Sequence, residues 1–255
     1  MRRYLACSLA LCLALPLLAT EPPPDAAAIV RGAMTQWRGT SSYTTITMTI
    51  HRPKWERAMS MTSWTQGDDD ALVRFTAPAG DAGNATLKLG DAMWMFTPKL
   101  NQVIKLPMNM MAQSWMGSDF SYNDLAKSEE ILHEYDLKIA GVEKQEGHEV
   151  YVIEALPKAN APVVWGKQVL KIRDDHLILV ETFYDQDMEP LKELTAEKIG
   201  RLGGRPYVTE LRMRPLDKEG QWTEIRYLKG TFDVKIPKFV FTLSNLRNPR
   251  HWEPK

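Results

Sequence analysis

The chain has 255 residues, of which 44% are hydrophobic and 25% are charged, and its 32 basic and 32 acidic side chains give a formal charge of zero. A chain without net charge has no long-range field to attract nucleic acid or an anionic membrane surface, which argues against both as partners. Its two cysteines, Cys7 and Cys12, lie in the first twenty residues. We therefore expect the remainder to be held together by apolar burial and not by disulfides.

Residues 1–20 have the pattern of a secretory signal peptide. Two arginines precede an apolar run that ends at Leu18, and the run exits through the small residues Ala19 and Thr20. We expect cleavage near Ala19 or Thr20 and export of the mature chain. The alternative is a retained membrane anchor, which is disfavoured because a spanning helix needs about twenty apolar residues.

The mature chain begins with a predicted helix at residues 25–38. Asp25 is a suitable N-cap, apolar residues recur at helical spacing, and Gly39 ends the pattern. From Ser41 the apolar period changes to two, which predicts a half-buried strand. Further alternating runs, each followed by a turn signal, lie at residues 58–66, 72–77, 85–89, 92–97 and 102–106.

The alternation is interrupted at residues 113–127, where we predict a helix capped by Ser118 or Asp119. Residues 237–248 are ambiguous between a last strand and a cover over an open end. Short connections between consecutive runs predict a mainly β (α+β) fold with an antiparallel sheet. Because no linker follows residue 25, residues 21–255 are interpreted as one domain. Alternation resumes at residues 134–143, 148–156, 168–173, 177–184, 191–202, 207–214 and 221–229.

Signals for catalysis are sparse. The five histidines include no pair at i,i+4, and the sequence has no G-x-S-x-G motif and no phosphate-binding glycine loop. The run Asp68-Asp69-Asp70 lacks the alternating spacing of a calcium loop and is interpreted as a solvated turn. We therefore predict neither an enzyme nor a metal site or cofactor.

Six methionines lie between residues 93 and 116, interleaved with Trp94, Phe96 and Trp115. Three interpretations stay open. Thioether sulfur is a soft ligand for copper, although no histidine lies in this segment to complete a site. Ordinary core packing is the second interpretation. The third is a deformable apolar cavity, because methionine is flexible and polarisable and suits variable apolar partners.

Several segments resemble one known family. They are the run at residues 87–98, the strand at 103–106, the motif S-W-M-G-S-D-F at 114–120 with its continuation to 125, the segment 164–167, and the ending at 236–246. Together they are similar to the LolA-like outer membrane lipoprotein-sorting protein family of Gram-negative bacteria. The resemblance covers essentially all of the mature chain, and the motif at 114–120 is its most specific part.

The resemblance implies an unclosed, strongly curved antiparallel β-sheet, a half-barrel of roughly eleven strands with helices covering its concave face. It also implies a periplasmic carrier that binds lipid or an acylated lipoprotein in an apolar hollow and moves it towards the outer membrane. Relatives found beside RND-type transporters imply such an inner-membrane partner. The alternatives are a sensor or regulatory binding module similar to RseB and a methionine-rich copper-binding protein.

The same resemblance, combined with strand alternation, leads to a predicted lipid site. If one face of the sheet is dry, alternate residues of each strand point into the hollow. The strand that begins at Ser41 offers one apolar set, and the strand at residues 92–97 offers two. The segment at residues 113–127, which we call the insertion, supplies a cover. We predict an apolar lining composed of Ile46, Met48, Ile50, Trp94, Phe96, Trp115, Met116 and Phe120.

Overall fold

The structure is a computed structural model that describes residues 25–126 and 130–254. The predicted signal peptide at residues 1–20 lies outside the described residues. Helix α1 spans Ala26–Arg38, and the Asp25 carboxylate accepts hydrogen bonds of 3.3 Å from the backbone N–H groups of Ala27 and Ala28. The first predicted helix and its N-cap are therefore confirmed.

Within the described residues, thirteen strands form one antiparallel sheet. Each alternating run of the sequence has become a strand, so the roughly eleven strands implied by the family resemblance are an undercount for this chain. The strands are β1 Ser41–Arg52, β2 Trp55–Gln66, β3 Asp70–Ala77, β4 Ala85–Leu89, β5 Ala92–Thr97, β6 Gln102–Lys105, β7 Tyr135–Gln145, β8 His148–Pro157, β9 Lys167–Arg173, β10 Ile178–Tyr184, β11 Pro190–Leu202, β12 Arg205–Pro215 and β13 Trp222–Phe232.

The order of strands across the sheet is β6-β5-β4-β3-β2-β1-β13-β12-β11-β10-β9-β8-β7. Strands that follow one another in the chain are therefore neighbours in the sheet, except for β6 and β7, and the central pair joins strands from the two ends of the chain. There β1 pairs with β13, with Met48 opposite Ile225, and joins two meanders. Strands β6 and β7 form the two edges, so the predicted mainly β fold with an unclosed antiparallel sheet is confirmed.

Helix α1 and the segment between β6 and β7 cover one face of the sheet, which we call the inner face. Helix α1 packs over the β7–β10 half, where Val30 joins Ile153 and Leu170 in a fully buried cluster. Part of the segment between β6 and β7, including α2, Tyr122–Ala126, packs over the other half, whereas Ile131 of α3, Glu130–Glu134, joins the same cluster as α1. No helix in the described ranges is long and apolar enough to cross a membrane.

The predicted helix at residues 113–127 is wrong in its extent. Residues 113–121 form an irregular turn with a β-bridge between Ser114 and Ser121, and helix α2 begins only at Tyr122. Met116 and Gly117 have φ angles of 55° and 78°. Such left-handed backbone interrupts a right-handed helix, and glycine adopts it at little cost.

The C-terminal segment covers the other face of the first meander, which we call the outer face. Residues 236–247, which include the short helix α4, Leu243–Arg247, pack against Leu72, Leu87 and Phe96. The segment that the sequence left ambiguous is thus a cover and not a fourteenth strand. Because both faces of this half of the sheet are dry, its strands carry apolar residues at consecutive positions.

Candidate functional site

A cavity of about 290 Å³ lies between the inner face of the sheet, α1 and the segment after β6. This volume is close to the lower end of the range of about 300–1,000 Å³ that is usual for small-molecule sites. Its walls are mainly apolar and come from all three parts of the fold. The apolar lining includes Ala33, Met34, Trp37, Ile46, Met61, Val73, Met93, Trp115, Phe120, Leu125, Leu211 and Ile225.

Trp115 fixes one wall of the cavity. Its indole Nε1 donates a buried hydrogen bond of 3.1 Å to the hydroxyl of Thr86 on β4, and its ring lies 5.4 Å from that of Phe75. The side chain is 4% exposed. A buried indole with its polar atom satisfied is a rigid wall, because both its orientation and its depth are determined.

The insertion is held to the central strands by an ion pair. Both terminal nitrogens of Arg52 on β1 lie 3.0 Å from the Asp119 carboxylate, and the hydroxyl of Thr223 on β13 donates to the same group at 2.6 Å. Asp119 is 8% exposed. The motif at residues 114–120 therefore acts as an anchor, and the expected cap role of Ser118 or Asp119 is replaced by bonds between Ser121 and Asp124.

The last turn of α1 closes the cavity on its opposite side. The Trp37 indole donates to the hydroxyl of Tyr227 at 3.1 Å, and the hydroxyl of Tyr207 donates to the Trp37 carbonyl at 3.1 Å. Burial raises the pKa of both tyrosines above the ordinary value. The two phenols are therefore neutral at physiological pH, and they present dipoles but no charge to the cavity.

One end of the cavity carries a buried ion pair. The Lys192 ammonium on β11 donates to the Asp124 carboxylate of α2, and both side chains are more than nine-tenths buried. The Lys192 Nζ also lies 4.6 Å from the ring centroid of Trp165 and 5.1 Å from that of Phe183. Glu181, on β10, completes this acidic end, which we define as Asp124, Glu181 and Lys192.

Glu181 has the most informative titration in the cavity. Burial, reinforced by the negative charge of Asp124 and opposed by the positive charge of Lys192, raises the pKa of its carboxyl from 4.5 to about 7. Desolvation disfavours the charged form because the interior solvates an ion poorly. A half-buried carboxyl that lines a cavity and has a raised pKa is a candidate for a functional role, since an apolar residue would serve the fold better.

The structure places the predicted lining residues in three groups. Ile46, Trp115 and Phe120 line the cavity. Met48 and Ile50 lie in the core cluster next to it and are fully buried. The remaining three are elsewhere: Met116 and Phe96 border a second, more open hollow of about 400 Å³, and Trp94 packs with Phe96 under the C-terminal cover.

The predicted inward orientation of Trp94 and Phe96 is therefore wrong, because the alternative set of β5 faces the cavity. Met93 lines the cavity and Met95 packs against the same core cluster, whereas Trp94 and Phe96 contact the cluster on the outer face. A strand that is apolar on both faces gives no sequence signal for its orientation, since a one-residue shift exchanges the faces.

Sequence patterns did not identify the charged residues of the acidic end. Asp124, Glu181 and Lys192 lie on three separate elements and share no motif. The sequence carries only a weak signal for them. Glu181 and Lys192 both occupy inward-facing positions of strands, where the alternating pattern predicts apolar residues. Among the described residues, no group of three or more histidines, cysteines or acidic residues is arranged to hold a metal ion.

Comparison with known proteins gives one family model and several similar structures. A family model described as "Uncharacterized protein" matches residues 67–248. A DUF1329 family protein from Desulfovibrio piger is 26% identical, with a TM-score of 0.77 over 87% of this chain and 98% of that one. No curated protein matches the chain.

Two further structures share the fold at lower identity. An outer membrane lipoprotein-sorting protein domain from Vibrio parahaemolyticus is 22% identical, with a TM-score of 0.75 over 87% of this chain and 98% of that chain. A LolA superfamily protein from Nitrosomonas europaea is 21% identical, with a TM-score of 0.70 over 85% and 97% of the two chains. The resemblance seen in the sequence is thereby confirmed: the chain belongs to the family that the model over residues 67–248 describes, and it shares the fold of the lipoprotein-sorting and LolA superfamily structures.

Proposed function

We propose that this protein is a periplasmic carrier that holds the acyl part of a lipid or lipid-modified protein in its central cavity. Delivery towards the outer membrane and contact with an RND-type inner-membrane transporter belong to the same proposal, as the family resemblance implies. The observation that carries it is the cavity itself, an apolar space enclosed by the sheet, α1 and the insertion.

The composition of the cavity wall fits a flexible apolar cargo. Each methylene group of an acyl chain that leaves water for an apolar site gains about 0.8 kcal/mol. Met34, Met61 and Met93 line the space, and their unbranched thioether side chains change rotamer easily to fit chains of different shape. A rigid wall at Trp115 and adaptable walls at the methionines together suit a ligand that has a fixed position but a variable form.

The fold supports the same reading. Outer membrane lipoprotein sorting is the function named for the similar domain from Vibrio parahaemolyticus, which is covered over nearly its full length. The proposal assigns binding and not catalysis to the cavity. The sensor and copper-binding alternatives stay predictions. Met93 and Met111, the buried methionines of the segment at residues 93–116, pack in the apolar core cluster.

A titration with a fluorescent fatty-acid probe tests the proposal. We expect saturable binding by the mature protein and a large loss of affinity in Ala196→Trp, because Ala196 lines the cavity and a large ring there would occupy it. The matched control is Ala79→Trp, at an exposed turn position, which should bind the probe normally. Absence of binding by the wild-type protein, or equal binding by a folded Ala196→Trp variant, would contradict the proposal.

Two parallel measurements address the alternatives. A copper(I) titration would favour the metal interpretation if it gave stoichiometric binding in a protein that ignored the lipid probe. A pull-down from solubilised membranes would favour a sensor role if it returned a regulatory membrane protein and no transporter.

A further inference from the structure

The acidic end of the cavity carries information about the polar part of the cargo; this inference rests on the proposed carrier function. Asp124 and Lys192 are 7% and 9% exposed at their side chains, so they are removed from bulk water. Burying a pair of charges costs more than packing apolar residues of similar volume. A chain that only had to enclose an acyl tail would not need them.

The hydrogen bonds at this end are incomplete. Asp124 Oδ2 accepts from the Lys192 ammonium and, at 2.7 Å, from the Ser121 backbone N–H, but its Oδ1 is buried and has no partner among the described residues. No hydrogen bond from a described residue stabilises Glu181 either. Buried acceptors are normally satisfied, so Asp124 Oδ1 lacks a donor within the part of the chain that the structure describes.

The formal charges at the acidic end are also unbalanced. When Glu181 is ionised, the acidic end holds two carboxylates and one ammonium, which leaves one negative charge in excess. A single positive charge placed between Asp124 and Glu181 would neutralise the group and supply the missing donors.

The cationic side chains on the other side of the cavity are engaged in the fold. The Arg38 Nη2 donates to the carbonyl of Gly67 at 3.0 Å, and the Lys88 ammonium donates to the carbonyl of Asp68. Both are thus bound to the β2–β3 turn. Among the described residues that line the cavity, the buried acceptor without a partner, Asp124 Oδ1, lies at the acidic end.

We propose that the acidic end recognises a primary-amine headgroup, so that the cargo is an amphiphile whose ammonium group donates to Asp124 and Glu181 while its chain occupies the apolar part of the cavity. Hydrogen bonds between ions are stronger than neutral ones, especially away from water. The acidic end would therefore select the headgroup, and the methionine-lined walls would tolerate variation in the chain.

The test uses three ligands with one common chain: dodecylamine, dodecanol and dodecanoic acid. Each displaces a neutral apolar dye from the mature protein at about pH 8, where the amine is charged and Glu181 is mostly ionised. We expect the amine to bind at least about tenfold more tightly than the alcohol, and the acid to bind most weakly.

Glu181→Gln is the informative variant, since it removes the charge with almost no change in shape. We expect it to reduce the amine preference to about threefold or less while the alcohol binds as before. Glu193→Gln is the matched control: Glu193 lies on the outer face, 3.5 Å from Arg214, and its loss should leave the preference unchanged. Asp124→Asn provides a second variant with the same expected direction.

The outcomes separate this inference from the function on which it rests. Binding of all three ligands without an amine preference, or an amine preference that survives in Glu181→Gln and Asp124→Asn, would overturn the headgroup assignment and leave the carrier proposal standing. Failure of every ligand to displace the dye would overturn the carrier proposal itself.

Discussion

Glu181→Gln should stabilise the protein at neutral and alkaline pH. The folded protein raises the pKa of this carboxyl from 4.5 to about 7. Each pKa unit corresponds to about 1.4 kcal/mol of free energy, so ionised Glu181 costs the folded state up to about 3 kcal/mol. The glutamine has no charge to desolvate, and the Lys192 ammonium keeps its bond to Asp124.

The direction in which the free energy of unfolding changes with pH follows from the coupling between proton binding and folding. Because the folded state holds the Glu181 proton more tightly than the unfolded state does, this group favours folding fully below about pH 4.5, and its contribution is lost as the pH rises through about 7. The free energies of unfolding of wild type and Glu181→Gln should therefore be similar near pH 4.5 and diverge up to about pH 8, with the variant more stable by up to about 3 kcal/mol.

Urea denaturation followed by tryptophan fluorescence measures this difference across the pH range. Subtracting the free energy of unfolding of the wild type from that of the variant at each pH removes the contribution of other titrating groups. The control Glu193→Gln, on the outer face, should show no such divergence. A variant that is less stable than wild type at about pH 8, or a difference that does not change with pH, would refute the reasoning. The expected result would mean that the chain retains a residue that costs stability, as functional sites often do.

Three further substitutions test the architecture around the cavity. Arg52→Ala should lower the free energy of unfolding by about 3–5 kcal/mol in urea titrations, because it strands the buried Asp119 carboxylate; a loss below about 1 kcal/mol would count against the anchor. Trp115→Ala should cost about 3–5 kcal/mol by the same measurement through lost packing and the lost bond to Thr86, and a near-neutral effect would contradict a rigid wall. Trp94→Asp should leave fatty-acid probe affinity unchanged while increasing proteolysis of the C-terminal cover; loss of binding in a folded variant would restore the inward orientation.

The local parts of this fold could be predicted from the sequence. The period-two runs and the turn signals between them are properties of neighbouring residues, and each run is a strand in the structure. The N-cap at Asp25 is equally local. The central pairing of β1 with β13 joins residues almost at opposite ends of the chain, and alternation carries no information about such a partner.

The candidate site could be predicted only in part. Ile46, Trp115 and Phe120 were found because the family resemblance implies a hollow and alternation supplies an inward set. The orientation of β5 was not predictable, since Trp94 and Met93 are both apolar and both buried faces accept them. The function of the motif at 114–120 was not predictable either, because the partners of Asp119 come from β1 and β13.

The central claim is that the cavity holds an acyl chain. Native mass spectrometry of the mature protein, purified from the periplasm of expressing cells without detergent, tests it most directly. We expect an added mass in the range of a membrane amphiphile, present in wild type and absent from Ala196→Trp, whose tryptophan would fill the cavity. A wild-type protein that is consistently free of bound amphiphile, or an Ala196→Trp variant that carries the same added mass, would contradict it.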